Sequence, residues 1–136
     1  PELLQSCRAG DPMKAKHLDK ALMQFAEEGA AKVFKPVIGS GFIVGVVGAL
    51  QFEVLASRIE MEYGLPVRFE PSQFTSARWV SGPKEKVEAF MAANSQHMAA
   101  DNDGDPVYLT RMQWDIDRVE RDYPDVKLSA TKELMV

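Results

Sequence analysis

Residues 42–47 form a short, unbroken apolar run that is rich in β-branched side chains and follows directly on Gly39, Ser40 and Gly41. A run of this length and composition, bounded by glycine, predicts a buried strand. Residues 32–38, before the glycine-rich triplet, also favour a strand, so the two segments predict a β-hairpin. This hairpin is the centre of the predicted fold, and helices are expected to cover it.

Amphipathic helices are predicted on both sides of the hairpin, because apolar side chains recur there every three or four positions. Gly29 and Gly64 are suitable helix ends. The predicted segments around the hairpin are an entry strand at 2–8, helices at 11–28 and 49–63, and a strand at 67–70. The resulting order is strand, helix, strand, strand, helix, strand, which is the split βαβ or ferredoxin-like arrangement.

The rest of the chain predicts a further βαβαβ segment. Its elements are strands at 76–80, 107–110 and 126–130, and helices at about 83–96 and 112–123. The predicted fold class is therefore α+β, with helices packed on a mostly antiparallel sheet. No repeat of fixed period and no low-complexity linker divides the sequence, so residues 1–136 are expected to form a single domain.

No enzymatic or metal site is predicted. The triplet at 39–41 leads into a strand, whereas a phosphate-binding loop opens a helix, so a hairpin turn is favoured. The acidic run at 101–105 lacks a carboxylate at both end positions of an EF-hand loop, which favours a solvated turn. His17 and His97 are far apart in sequence, and nothing beside Cys7 would activate its thiol. We therefore expect no catalytic, metal-binding or cofactor-binding residue.

The net charge of −4 comes from the last quarter of the chain. Residues 1–100 carry eleven basic and eleven acidic side chains, whereas residues 101–136 carry five and nine. An acidic total argues against a uniformly basic nucleic-acid binder but leaves room for a local basic face. The candidates for such a contact are Lys14, Lys16 and Lys20 on the first helix, and Arg78. A solvated helix face is the alternative explanation for the lysines.

Residues 48–54, with the sequence Gly-Ala-Leu-Gln-Phe-Glu-Val, resemble the third-domain signature of translational GTPases of the elongation factor G type. The Leu-Gln-Phe variant, preceded by the hairpin residues 33–36, is similar to bacterial peptide chain release factor three. Further matches are residues 77–80, Tyr108, residues 123–126 and residues 130–133. Over essentially its whole length, the chain resembles the C-terminal domain of that family.

We expect the signature residues to be structural. They are Gly48, Leu50, Gln51, Phe52 and Val54. A close backbone approach at the strand-to-helix turn is the expected reason for Gly48. Leu50 and Val54 are expected to widen the apolar stripe of the second helix, and core packing is the expected role of Phe52 and Val54.

The resemblance implies a role in translation termination. Members of the family are GTPases that bind the ribosome after peptide release and promote dissociation and recycling of stop-codon-reading release factors. GTP or GDP with magnesium would bind to the N-terminal domain of such a factor, and this chain would supply ribosome contact and interdomain coupling without hydrolysing GTP. The implied partners are small-subunit RNA and protein, the release factors, and the factor's own GTPase and β-barrel domains.

A membrane or DNA partner is not expected, and the single cysteine favours the cytoplasm. The start at Pro1, without methionine, favours a fragment of a longer protein. The alternative hypothesis is a freestanding small-molecule-binding or regulatory α+β domain, since ferredoxin-like folds support that function as well.

Overall fold

The computed structural model describes residues 3–132 and confirms the α+β class. The first unit contains β1 (Leu3–Ala9), α1 (Ala15–Glu28), β2 (Lys32–Pro36), β3 (Phe42–Val46), α2 (Leu50–Tyr63) and β4 (Val67–Pro71). The second unit contains β5 (Ser76–Ser81), α3 (Lys84–Ala93), β6 (Met98–Ala100), β7 (Pro106–Thr110), α4 (Gln113–Asp122) and β8 (Lys127–Ser129). Glu2, in the predicted entry strand, and Glu133, in a matched segment, lie outside the described residues.

The eight strands of this part of the chain form one antiparallel sheet in the order β4-β1-β3-β2-β6-β7-β5-β8. Its first half has the strand order of the ferredoxin-like arrangement, as predicted. The second half has the same strand order, read from the opposite edge of the sheet. Strands β6, β7, β5 and β8 correspond in turn to β2, β3, β1 and β4. The halves join where β2 pairs with β6, with Lys35 opposite Ala100 and Pro36 opposite Ala99.

Strand β6 is the element that the sequence did not predict. The helix expected to reach residue 96 ends at Ala93, and a 3-10 turn at Ser95–His97 leads directly into the three residues of β6. At the helix end, the side-chain amide of Asn94 donates a hydrogen bond to the carbonyl of Phe90 (2.9 Å). The second segment is therefore a complete βαββαβ unit with one strand more than expected.

The two units form four layers, in the order helix, sheet, sheet, helix. Helices α1 and α2 cover one face of the first half-sheet, and α3 and α4 cover one face of the second. Each helix pair encloses a core with its half-sheet: Leu18, Phe25, Val44, Phe52 and Ile59 in the first unit, and Phe90, Met98, Tyr108, Val119 and Val126 in the second. The faces without helices pack against each other, so no large apolar face of the sheet is left in water.

The middle core is the seam between the two half-sheets. Phe34 and Ile43 of the first unit pack there with Phe74 of the connecting segment and with Trp79, Ala99, Val107 and Leu109 of the second unit. Phe34 and Trp79 meet edge to face, with their ring centroids 5.9 Å apart. Because these rings lie on strands three places apart in the sheet, the sheet must curl strongly at the junction of β2 and β6.

Local sequence explains the start and end of α1. The carboxylate of Asp11 accepts a hydrogen bond from the amide of Met13 (2.9 Å), and Pro12 opens a 3-10 turn before the α-helix begins at Ala15. Gly29 ends the helix in the left-handed conformation that glycine adopts without strain. The apolar positions predicted for this helix, Leu18, Leu22 and Phe25, are buried.

Candidate functional site

The acidic loop at residues 101–105 is built around one buried carboxylate. Asp101 accepts hydrogen bonds from the amides of Asp103 and Asp105 on Oδ1 (both 2.9 Å), and from the indole of Trp79 on Oδ2 (2.9 Å). The side chain of Asp101 is 3% exposed. The expected solvated turn is therefore wrong for Asp101, because its carboxylate fixes the loop and anchors it to the seam.

Lys132 crosses this loop from the end of the described chain. Its ammonium lies 2.9 Å from a carboxylate oxygen of Asp101 and 2.6 Å from oxygens of Asp103 and Asp105. Oxygens of these three carboxylates lie within 4.8 Å of one another, which is a spacing that could hold a cation. In the structure the Lys132 ammonium contacts each of the three groups.

The acidic loop also changes the pKa values of its members. Burial alone would raise the pKa of Asp101, but hydrogen bonds from Trp79, Lys132 and the two loop amides outweigh burial and hold the pKa below its usual value. Hydrogen bonds to Asp103 and Asp105, and then to Asp101, raise the pKa of Lys132. Both groups are therefore charged at neutral pH, and their pairing keeps residues 130–132 against the loop.

The predicted basic residues do not form one continuous surface. Lys14, Lys16 and Lys20 are exposed at the start of α1, in the outer layer of the first unit. Arg78 lies on β5 in the second unit, opposite Tyr108 in the β5–β7 ladder. Its side chain is half-buried and donates a hydrogen bond to the carbonyl of Ala77 (3.0 Å). The lysines and Arg78 are therefore two separate features, whereas Trp79 is buried, as core packing requires.

The signature residues have three different roles. Phe52 is buried in the first core, as expected. Leu50 and Val54 are 74% and 56% exposed, so the expected apolar stripe and core packing are wrong for them. The reason is geometric: positions 50, 54, 57 and 61 lie on the helix face opposite Leu55 and Ile59, which hold α2 to the sheet.

Gly48 and Gln51 together form the turn before α2. A Cβ added to Gly48 would meet no atom within 4 Å, so the expected close backbone approach is wrong. The side-chain oxygen of Gln51 instead accepts hydrogen bonds from the amides of Val47 (3.0 Å) and Gly48 (3.3 Å). Gln51 thus provides an acceptor for two amides of the turn that precedes the helix.

Helix α4 begins in the same way as α2. The carboxylate of Asp115 accepts hydrogen bonds from the amides of Arg111 (2.8 Å) and Met112 (3.3 Å), which are four and three residues before it. Gln51 has the same spacing from its two donors. Leu50 and Trp114, each one residue before the capping side chain, are therefore equivalent positions of the two units. Both are exposed on the outer layers.

The other candidate groups have ordinary structural positions. Residues 39–41 form the tip of the β2–β3 hairpin, which confirms the predicted turn. Cys7 is buried in β1, and burial raises the pKa of its thiol to about 12, which keeps it protonated and unreactive. His17 is exposed on α1, whereas a ring nitrogen of His97 lies 3.0 Å from the carbonyl oxygen of Leu109.

None of the helices between residues 3 and 132 combines the length and apolar character needed to cross a lipid bilayer.

The repeated topology and the shared helix starts define a double ferredoxin-like α+β domain, in which one sheet joins two units back to back. A sequence model of the family described as class II release factor RF3, C-terminal domain, matches residues 1–120. This match includes most of the chain, so the chain belongs to that family and is a domain of a translation termination factor. The resemblance noted in residues 48–54 is thereby confirmed.

Proposed function

We propose that this chain is the ribosome-contacting module of a translation termination GTPase. The intact factor would bind the ribosome after peptide release and promote dissociation and recycling of stop-codon-reading release factors. The observation that carries this proposal is the family match over residues 1–120. Because the family is described as a C-terminal domain, it favours a part of a larger factor over a freestanding small-molecule-binding domain.

Nucleotide chemistry belongs to another part of the proposed factor. GTP or GDP with magnesium would bind the GTPase domain, and a β-barrel domain would lie between that domain and this one. The glycine-rich triplet of this chain is a hairpin tip followed by β3, and a phosphate-binding loop requires a helix there. We therefore expect this chain to couple the nucleotide state of the factor to ribosome contact without hydrolysing GTP itself.

The exposed lysines at the start of α1 are the basic contact that we propose for the first unit. Lys16 and Lys20 are four residues apart, so they lie on one side of the helix, and Lys14 precedes them in the 3-10 turn. The buried face of α1, which includes Leu18 and Phe25, points in another direction. All three ammonium groups can therefore reach a phosphate-rich surface without disturbing the core.

Charge reversal of these lysines tests the contact in the intact factor. Replacing Lys14, Lys16 and Lys20 by glutamate is expected to weaken ribosome binding at least tenfold at low salt. The slope of log affinity against log salt should fall by about two to three units, because each phosphate contact releases nearly one counterion. Cosedimentation with ribosomes at several salt concentrations measures both quantities.

The matched control reverses three exposed lysines of the second unit, Lys84, Lys86 and Lys127. This control changes the net charge by the same amount, so it separates a local contact from long-range attraction. We expect it to reduce affinity much less and to leave the salt slope near that of the unmodified factor. Equal effects of the two triple variants would contradict a contact through α1.

A further inference from the structure

The outer face of α4 carries an arginine–tryptophan patch, which we define as Arg111, Trp114, Arg118 and Arg121. Trp114 is 55% exposed, whereas Trp79 is 5% exposed. Residues 114, 118 and 121 are separated by four and three positions, so they share one face of the helix, and Arg111 lies just before it. An exposed indole between guanidinium groups is unusual for a solvated surface and typical of a binding surface.

Contacts with neutral groups hold Arg118 in place. Its guanidinium carbon lies 5.8 Å from the centre of the Trp114 ring. One of its nitrogens donates hydrogen bonds to the side-chain oxygen of Asn94 (2.9 Å) and to the hydroxyl of Tyr108 (3.3 Å). The Asn94 amide is itself fixed by its bond to Phe90. Arg118 therefore braces the indole, and its two hydrogen-bond acceptors are neutral side chains.

Arg111 is held in a similar way at the edge of the patch. It donates a hydrogen bond to the side-chain oxygen of Gln73 (2.8 Å), and its guanidinium lies 5.9 Å from the centre of the Phe74 ring. Asp115, close to Arg111 in sequence, uses one carboxylate oxygen to cap α4 and is buried. Arg111 and Arg118 thus both donate hydrogen bonds to neutral acceptors.

Four carboxylates lie on α4 with the patch: Asp115 is buried in the helix cap, and Asp117, Glu120 and Asp122 are exposed. Arg121 pairs with Asp122 (3.0 Å), and Asp117 accepts a hydrogen bond from Gln113 (3.1 Å). An exposed pair of this kind contributes little and is easily exchanged for another anion. The acidic loop at 101–105 lies at the opposite end of β7, about 17 Å from Arg111 along five strand residues. That distance exceeds the Debye length of about 8 Å at physiological salt.

We propose that the arginine–tryptophan patch binds an unpaired nucleotide of ribosomal RNA. The base would stack on the exposed face of Trp114, and the flanking phosphates would lie against Arg111 and Arg121. Proteins read unpaired RNA through such aromatic platforms and arginines, since every base has a face that can stack. This inference rests on the proposed ribosome contact and assigns RNA as the ligand of a second surface, on the opposite outer layer from the lysines of α1.

Titration of this chain with a single-stranded RNA octamer tests the ligand class. The two indole N–H signals in an NMR spectrum distinguish Trp114 from Trp79, whose indole is bonded to Asp101. We expect the chemical shift of the Trp114 indole N–H to change on addition of RNA and that of the Trp79 indole N–H to remain the same. Trp114→Ala is expected to weaken binding of the octamer about tenfold, whereas Trp114→Phe should retain most of the affinity, because stacking needs only an aromatic ring.

The matched control is Leu50→Ala, at the equivalent exposed position of α2, and it should leave octamer binding unchanged. Unchanged binding of the Trp114→Ala variant would overturn the proposal. Ribosome cosedimentation of the intact factor separates the remaining cases. If the unmodified factor fails to bind ribosomes, the proposed function fails. If it binds and crosslinks through position 114 to a ribosomal protein instead of RNA, the assignment of RNA is wrong.

Discussion

Replacing Gly82 by alanine is expected to lower the free energy of unfolding by about 2–5 kcal/mol. Gly82 has a φ of 142°, which L side chains rarely adopt, and a Cβ there would lie 2.5 Å from the carbonyl oxygen of Asp125. That oxygen belongs to the backbone before β8, so it cannot move away as a flexible side chain could. Steric overlap and backbone strain therefore both oppose the native structure.

Equilibrium unfolding in urea, monitored by circular dichroism, measures this loss. Gly48→Ala is the matched control, because Gly48 has open space around its Cβ direction. We expect the free energy of unfolding of that variant to differ from that of the unmodified chain by no more than about 1 kcal/mol. Similar stabilities of the two alanine variants would contradict the close approach of the Asp125 backbone to residue 82.

Replacing Phe34 by alanine is expected to cost about 3–5 kcal/mol of stability. Phe34 is 1% exposed and fills the seam between the two half-sheets, where its ring meets Trp79 edge to face. Loss of the ring removes buried apolar area and leaves a cavity between two sheets that cannot close fully. Because both units lie against the seam, we expect the variant to destabilise the whole domain.

Urea unfolding followed by both tryptophan fluorescence and circular dichroism measures this second effect. Phe34→Leu should recover much of the loss, since it keeps most of the apolar volume. Phe69→Ala provides a matched control on a half-buried ring of β4 and should cost clearly less. A loss for Phe34→Ala no larger than that for Phe69→Ala would show that the seam contributes little.

The first unit could be predicted from sequence because its elements have strong local patterns. The β2–β3 hairpin, the periodic helices and the alternating strand at 67–70 each have a sequence pattern typical of the structure that they form. The second unit was harder. Strand β6 has three residues, follows a 3-10 turn, and owes its existence to pairing with β2 and β7, which are distant in sequence. Such pairing leaves no local period to detect.

The duplication itself was also hidden from the sequence. The two units share topology and the way α2 and α4 begin, yet Gln51 provides the cap in one and Asp115 in the other. In both units a side-chain oxygen accepts hydrogen bonds from two backbone amides that precede the helix, so two different residue types have the same capping role. A search for sequence repeats cannot detect this equivalence of the two units, because only the hydrogen-bond geometry shows it.

The candidate surfaces, like strand β6, could be predicted only where the local sequence pattern was distinctive. Sequence identified Lys14, Lys16 and Lys20 because charged residues in one short segment stand out. The sequence predicts that Leu50 and Val54 widen the apolar stripe and that Val54 packs in the core, but α2 has apolar side chains on both faces and these two are exposed. The arginine–tryptophan patch lies within the acidic last quarter of the chain, and α4 itself carries four carboxylates, so the net charge of this segment conceals the patch. The exposure of Trp114 and its contact with Arg118 reveal it.

Ribosome binding by the intact factor, compared with the same factor lacking residues 1–136 of this chain, tests the central claim most directly. Cosedimentation at physiological salt, with a non-hydrolysable GTP analogue, gives both affinities. We predict that removal of the domain weakens binding at least tenfold while nucleotide binding by the remaining domains persists. Equal ribosome affinities with and without the domain would contradict a ribosome-contacting role for this chain.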